Sequence, residues 1–150
     1  MIGYLTKEQS ETVLSDNVFG KIGCNDGYNT YIYPTNYVYD GRYIFCHSLP
    51  GSKIHVMRRN KRVCFQVDSI KDFMNWKSVM VLGNYAELTE ARDRYYALKA
   101  FVSKKLNLKI SESVAAATGG QNVLQKAPGK IKPVIYRISV DEITGRFEEE

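Results

Sequence analysis

No stretch of this 150-residue sequence stays apolar over the length of a bilayer. A membrane partner is therefore not expected. The N-terminal run MIGYLTKEQSETVL carries Lys7 and Glu8 early and lacks the apolar segment of a signal peptide, which points to a cytoplasmic protein. Cysteine is scarce. Cys24, Cys46 and Cys64 are odd in number, widely spaced and form no CxxC, so a disulfide framework is excluded. No histidine is placed to complete a metal site with them, and no metal is expected. All three lie in strand-like runs, where a reduced thiol packs as a small hydrophobe. No glycine-rich loop joins a strand to a crossover helix, which argues against a parallel nucleotide-binding fold. No histidine–carboxylate pair stands near a serine or cysteine, so nucleophilic machinery is not legible and no catalytic side chain can be named. Internal repeats and low-complexity segments are absent too.

What is present describes a soluble globular chain. Hydrophobic residues make up 44% and charged residues 25%, which excludes a disordered chain. The length suits one domain over residues 1–150, with enough chain to bury a core. Lys and Arg number 21 against 16 Asp and Glu, giving +5, a surplus that would draw anions. The basic residues are scattered or sit beside one small loop, and no nucleic-acid-binding motif accompanies them. Nucleic acid is not an expected partner. Tyrosine is abundant at 11 residues, mostly in strand-like runs.

Thr6-Lys7-Glu8-Gln9 reads as a capping box opening a helix to about Ser15. Strands are expected over Val18–Asn25, Thr30–Tyr39, Arg42–Ser48, Arg62–Asp68, Trp76–Leu88 and Pro133–Val140. In the second, Tyr31, Tyr33, Thr35, Tyr37 and Tyr39 share a face. Pro34 within it predicts an edge, a bulge or an interrupted strand, and such a break would free the amides of Thr35 and Asn36. A basic helix is expected from Ser52 to about Asn60, and another from a Thr89 cap to about Leu106, with Ala91, Tyr95, Leu98 and Val102 toward the sheet. Residues 110–132 are the least readable, with a short helix expected over Ser111–Ala117, and the tail Glu148–Glu150 is expected to fray. Six strands on short connections, without βαβ alternation, predict a mainly β protein: a six-stranded antiparallel barrel with flanking helices.

The chemistry concentrates after the Asp40-Gly41 hairpin turn. His47, Ser48, Gly51, Ser52 and Lys53 place hydroxyls, a flexible backbone and an ammonium within a few positions, a composition suited to phosphate. A helix starting near Ser52 would add its first amides and its dipole.

The strings PTNYVYDGRYIFCHS and PGSKIHVMRRNKRVCFQVD, the Trp76-Lys77-Ser78-Val79 entry to the long strand, and PVIYRISVDEITGR together resemble the pyridoxamine 5′-phosphate oxidase-like FMN-binding split barrels. Within them the likeness is to the branch holding the nitroimidazole-resistance proteins. The resemblance implies a homodimer with FMN in two interface grooves. It implies that His47, Ser48 and Lys53 serve the FMN phosphate while Gly51 and Ser52 shape the loop. Pro34, Thr35, Asn36 and Tyr37 would run along the isoalloxazine ring, and Trp76 and Ser78 would approach from the second subunit. Pyridoxamine phosphate oxidases proper carry more basic residues, for two phosphates. No second phosphate site can be assigned here, which argues against vitamin B6 oxidation.

Plainer readings stand beside these. His47 could be an ordinary turn residue, Lys53 a solvated lysine, and Trp76 core or interface packing. Arg58, Arg59 and Arg62 read as solvated, with one of them able to reach a phosphate. Two functions fit: a flavin-dependent oxidoreductase passing electrons from a reductant to a small aromatic or nitro compound, or a non-enzymatic storage or sensor protein for flavin, haem or a deazaflavin.

Overall fold

The computed structural model describes residues 1–104 and 132–150. The described elements run β1 (Ile2–Tyr4), α1 (Lys7–Asp16), β2 (Phe19–Asn25), β3 (Thr30–Asn36), β4 (Val38–Tyr39), β5 (Tyr43–Ser48), α2 (Ser52–Arg59), β6 (Arg62–Asp72), β7 (Asn75–Glu87), α3 (Ala91–Ser103), β8 (Val134–Ser139) and β9 (Glu142–Glu148). The strands pair antiparallel in the order β3-β2-β6-β7-β8-β5-β4, with β9 on β7 and β1 on β9. The sheet curls into a half-barrel flanked by the helices. The expected architecture is present, with nine strands rather than six. β1 is too short to signal itself, β3 and β4 divide the one strand expected over Thr30–Tyr39, and β9 mixes glycine with charges and leaves most of its residues partly or fully exposed. The expected helix over Ser111–Ala117 lies outside the described residues.

The concave face holds the core. Ile22, Phe65, Val67, Val79, Val81, Ile44 and Ile138 are all buried there, with Val13 and Leu14 of α1 packed against them. The inward positions on β2, β6 and β7 follow from the alternation, Phe19, Lys21 and Gly23 pointing the other way. Thr6 accepts from the Gln9 amide, and Gln9 Oε1 accepts from the Thr6 amide, completing the capping box.

β7 is the strand that joins the two halves. Trp76–Leu82 pair with β9, and Tyr85–Glu87 pair with β8. Gly83 sits at the crossing, where a Cβ would land on the Ser139 carbonyl. The neighbouring backbone is tied on either side: Asp141 N–H donates to Leu82 O at 2.9 Å, and Asn84 N–H donates to Ser139 Oγ at 2.9 Å.

Four local expectations are corrected. Of the alternatives at Pro34 the edge holds and the bulge and break do not: β3 is an end strand, Pro34 pairs in register with Lys21, and Thr35 and Asn36 still face Gly20 and Phe19. The interruption falls at Tyr37, whose N–H donates to Val18 O at 3.0 Å. Helix α3 starts after Glu90, not Thr89, and Glu90 makes no side-chain cap. Its buried stripe is Ala97 and Phe101, with Leu98 partly buried; Tyr95 and Val102 are exposed. The stripe shifts because α3 packs on the convex side of β5 and β8, where only a narrow apolar strip of Val38, Phe45, Leu88 and Ile135 awaits it. The C-terminal tail is also not frayed: Glu149 N–H donates to Met1 O at 2.9 Å and Glu150 N–H to Asn75 Oδ1 at 3.2 Å.

Candidate functional site

The polar loop expected to hold an anion lies between β5 and α2. Ser48 ends β5, and its hydroxyl donates to Leu49 O at 2.8 Å. Gly51 stands at the N-cap of α2 in extended backbone and gives no side-chain cap, so the first amides of the helix lack a side-chain acceptor. A Cβ on Gly51 would meet only Leu49 O, at 4.0 Å. Ser52 is exposed at the first position of α2.

Lys53 follows in that first turn, where the helix dipole disfavours a cation. It is half-buried, and burial lowers its pKa from the ordinary lysine value. No hydrogen bond or ion pair to Lys53 is found among the described residues. The basic residues at the far end of α2 differ. Arg58 makes a two-pronged contact with Glu87 at 2.8 and 2.9 Å, and Arg62 pairs with Asp141 at 2.6 Å. The expectation that one of these arginines reaches a phosphate is thus weakened by the carboxylates already holding two of them.

His47 is 5% exposed, not a turn residue at the surface. The β5 pleat sends it to the convex side with Phe45, and its ring meets Phe101 edge-on at 4.7 Å. Burial, and after it the charge of Lys53, pull its pKa from 6.5 down to about 4, so the ring is neutral near pH 7. Any contact it makes to an anion is therefore a neutral N–H bond. Its neighbour Cys46 points into the core, where burial pushes the thiol up to about 12.

The remaining expected residues divide by strand face. Thr35 and Tyr37 point inward and are buried; Tyr37 donates to Leu14 O at 2.6 Å and meets Phe65 edge-on at 5.0 Å. Pro34 and Asn36 lie on the convex face at the β3 edge. Trp76 and Ser78 lie on the convex face of β7, where Trp76 Nε1 donates to Glu148 Oε1 at 3.0 Å and Ser78 Oγ accepts from Gln66 at 3.0 Å. Within one chain β2 and β6 separate these two groups, a lateral distance of about 14 Å. The structure brings Ser48, Gly51, Ser52 and Lys53 together at one junction and leaves Trp76 and Ser78 apart from them.

Other neighbours are not legible in the sequence. Lys104, at the end of α3, donates to Asn17 O at 2.6 Å and sits 5.0 Å over the Tyr37 ring. Gln66 and Asp68, with Lys21, Phe19 and Pro34, line a convex-face hollow of about 330 Å³. Only strand register, invisible in a single strand, places those residues side by side. Among the described residues no cluster of three potential metal ligands occurs, and no helix is long and apolar enough to cross a membrane.

Residues 6–147 match the family of pyridoxamine 5′-phosphate oxidase. The chain belongs to this family. An uncharacterized protein of Rhizobium meliloti is 29% identical over 146 residues, covering 95% of this chain and 92% of the relative. An FAD-binding protein of Mesorhizobium loti superposes with a TM-score of 0.74 at 27% identity, over 100% of this chain and 98% of that one. A structure described as a candidate 5-nitroimidazole antibiotic resistance protein of Bacteroides thetaiotaomicron gives a TM-score of 0.73 at 20% identity, over 98% and 87% of the two chains. At that identity the last comparison speaks for the fold, a split half-barrel of the family type.

His47 also sets a pH dependence. Its pKa is 6.5 when unfolded and about 4 in the fold, so between those values the unfolded chain binds the extra proton. The stabilisation is complete above pH 6.5 and is lost as pH falls toward 4, by on the order of 3 kcal/mol. Chemical denaturation of the wild type and His47→Gln at several pH values should show a flatter acid limb for the variant. Parallel limbs would mean that the folded imidazole accepts a proton freely.

Proposed function

We propose that the protein is a flavoprotein that holds FMN by its phosphate at the β5–α2 junction and passes electrons from a reductant to a small aromatic or nitro compound. The observation that carries this reading is Lys53, a half-buried ammonium without a hydrogen-bonding or ionic partner among the described residues, beside uncapped helix amides and two hydroxyls. A dianionic phosphate satisfies all of them at once. The family match and the FAD-binding relative favour a flavin. FMN is preferred to FAD because, among the described residues, Lys53 is the one cation in the first turn of α2, which suits a single phosphate.

In this arrangement Lys53, Ser48, Ser52 and the α2 amides would hold the phosphate. His47 would brace the loop from the other side as a neutral ring, and the Pro34–Tyr37 segment would lie along the flavin ring. The bound flavin supplies the electron chemistry, which accounts for a site without acid–base or nucleophilic side chains.

Trp76 and Ser78 enter the site in this reading only from a second copy of the chain. The convex face supports such a homodimer: Phe19, Ile32 and Met80 share it by strand register and are 60%, 69% and 43% exposed. Trp76→Ala should lower both dimer content and FMN retention in sedimentation over a range of concentrations; a monomer saturated with FMN throughout that range would exclude the shared site.

Lys53→Ala should weaken FMN by about one to two orders of magnitude, since a charge-assisted contact is worth roughly 1.5–3 kcal/mol. Riboflavin should bind poorly and be indifferent to the substitution. Fluorescence titration with FMN, FAD and riboflavin distinguishes the cases, and equal affinity for FMN and riboflavin would sink the phosphate assignment.

For the activity, the FMN-loaded protein reduced by dithionite without oxygen should be reoxidised on adding a nitroimidazole. If nitro compounds, quinones and other flat acceptors all leave the flavin reduced, the protein is a flavin store or sensor rather than an oxidoreductase.

A further inference from the structure

A second cleft lies at the opposite end of β5 from Ser48, five residues or about 17 Å along the strand. It is a hollow of about 270 Å³ between α3 and the convex face of β5 and β8. Its floor is Tyr43, Phe45 and Arg137, which alternate onto the same face; Phe45 and Arg137 are register partners. Tyr96 of α3 closes one side and packs edge-on against Phe45 at 5.6 Å.

Two guanidinium groups crowd one ring here. Arg137 lies 4.0 Å from the centre of the Tyr43 ring and Arg42 lies 5.1 Å from it. Arg137 is half-buried, yet it has no hydrogen bond or ion pair among the described residues. That is unusual for a guanidinium, because a partly desolvated cation is stable only when its donors find acceptors. Ring stacking uses its flat face and leaves the N–H edge unspent.

The nearby carboxylates do not spend it. Asp40 accepts from the Arg42 and Tyr43 amides at 2.8 and 2.7 Å through one oxygen and from the Tyr96 hydroxyl at 3.0 Å through the other. Asp93 lines the hollow but forms no ion pair with either arginine. The cleft thus offers an apolar, aromatic body and an unspent planar donor edge.

We propose that this cleft binds a small planar organic anion of the aromatic-carboxylate class. The carboxylate pairs with the fork of Arg137, reinforced by the charge of Arg42, and the ring lies against Tyr43, Phe45 and Tyr96. The volume admits one ring with its carboxylate and is too small for a flavin nucleotide. The site is independent of the flavin reading, since none of its residues belongs to the β5–α2 junction.

Benzoate is the probe, followed on the full-length protein by ¹H–¹⁵N correlation spectra. Saturable shifts centred on Tyr43, Phe45, Tyr96 and Arg137 are expected. Arg137→Gln should weaken binding at least about tenfold, the loss of one charge-assisted contact. Asp93→Asn, which removes a repelling charge while keeping the shape, should tighten it. Cyclohexylammonium, of the opposite charge, should not bind. Thermal unfolding of both variants checks that the cleft is intact, and Arg42→Gln, a surface change, gives a smaller loss if Arg137 does not tolerate replacement. Shifts that never saturate, shifts centred elsewhere, or equal benzoate affinity in wild type, Arg137→Gln and Arg42→Gln would overturn the assignment.

Discussion

The close passage of β7 over the β8–β9 turn governs the rest of the fold. One strand must serve two halves of a curled sheet, giving its early residues to β9 and its last to β8. At the handover the Ser139 carbonyl occupies the space a side chain would fill, so the position must be glycine. Once the backbones approach that closely, β8 is fixed beside the end of β7, and β5 is fixed beside β8 through six registered pairs from Tyr43 to Ser48. The polar junction at the end of β5 is placed by this chain of pairings. The site is therefore a consequence of how the barrel closes as much as of its own residues.

Charge is distributed unevenly along the basic segment that follows. Residues of one sign and similar spacing meet different fates: Arg58 and Arg62 are neutralised by Glu87 and Asp141, brought in from β7 and from the β8–β9 turn, whereas Lys53 has no carboxylate partner among the described residues and lies close enough to His47 to lower its pKa. An unpaired cation held partly out of water costs stability. Groups held at such a cost recur at functional sites and in structural networks alike. His47 shows the same tension: a titratable ring is kept neutral against Phe101 within the field of that lysine.

Much of this was legible in the sequence, and the divisions are physical. Strands whose two faces differ sharply announced themselves, as β2, β6 and β7 did through Ile22, Phe65, Val67, Val79 and Val81. The Thr6 capping box was readable because it is local in sequence. Helix α3 misled because Tyr95 and Val102 are apolar yet exposed, and the stripe that matters, Ala97 and Phe101, is chosen by a partner surface distant in sequence. The strand-to-helix turn between β5 and α2 was readable because its residues are contiguous. The orientation of His47 was not, because it depends on which side of β5 the core lies. The ordered C-terminus was missed for the same reason: its Glu148 is held by Trp76, 72 residues earlier.

Pro34 has one more consequence. Among the described residues β3 is an end strand of the sheet, and its run Thr30–Asn36 carries Tyr31, Tyr33 and an exposed Ile32, a composition prone to cross-β assembly between molecules. A proline in the middle of that run removes a donor and spoils the ladder a neighbouring molecule would need. The residue that borders the proposed flavin strand thus also acts as a gatekeeper against aggregation. Replacing it with a better strand former would improve local β-propensity while exposing an uninterrupted sticky edge, so solubility and secondary-structure preference pull in opposite directions at this position.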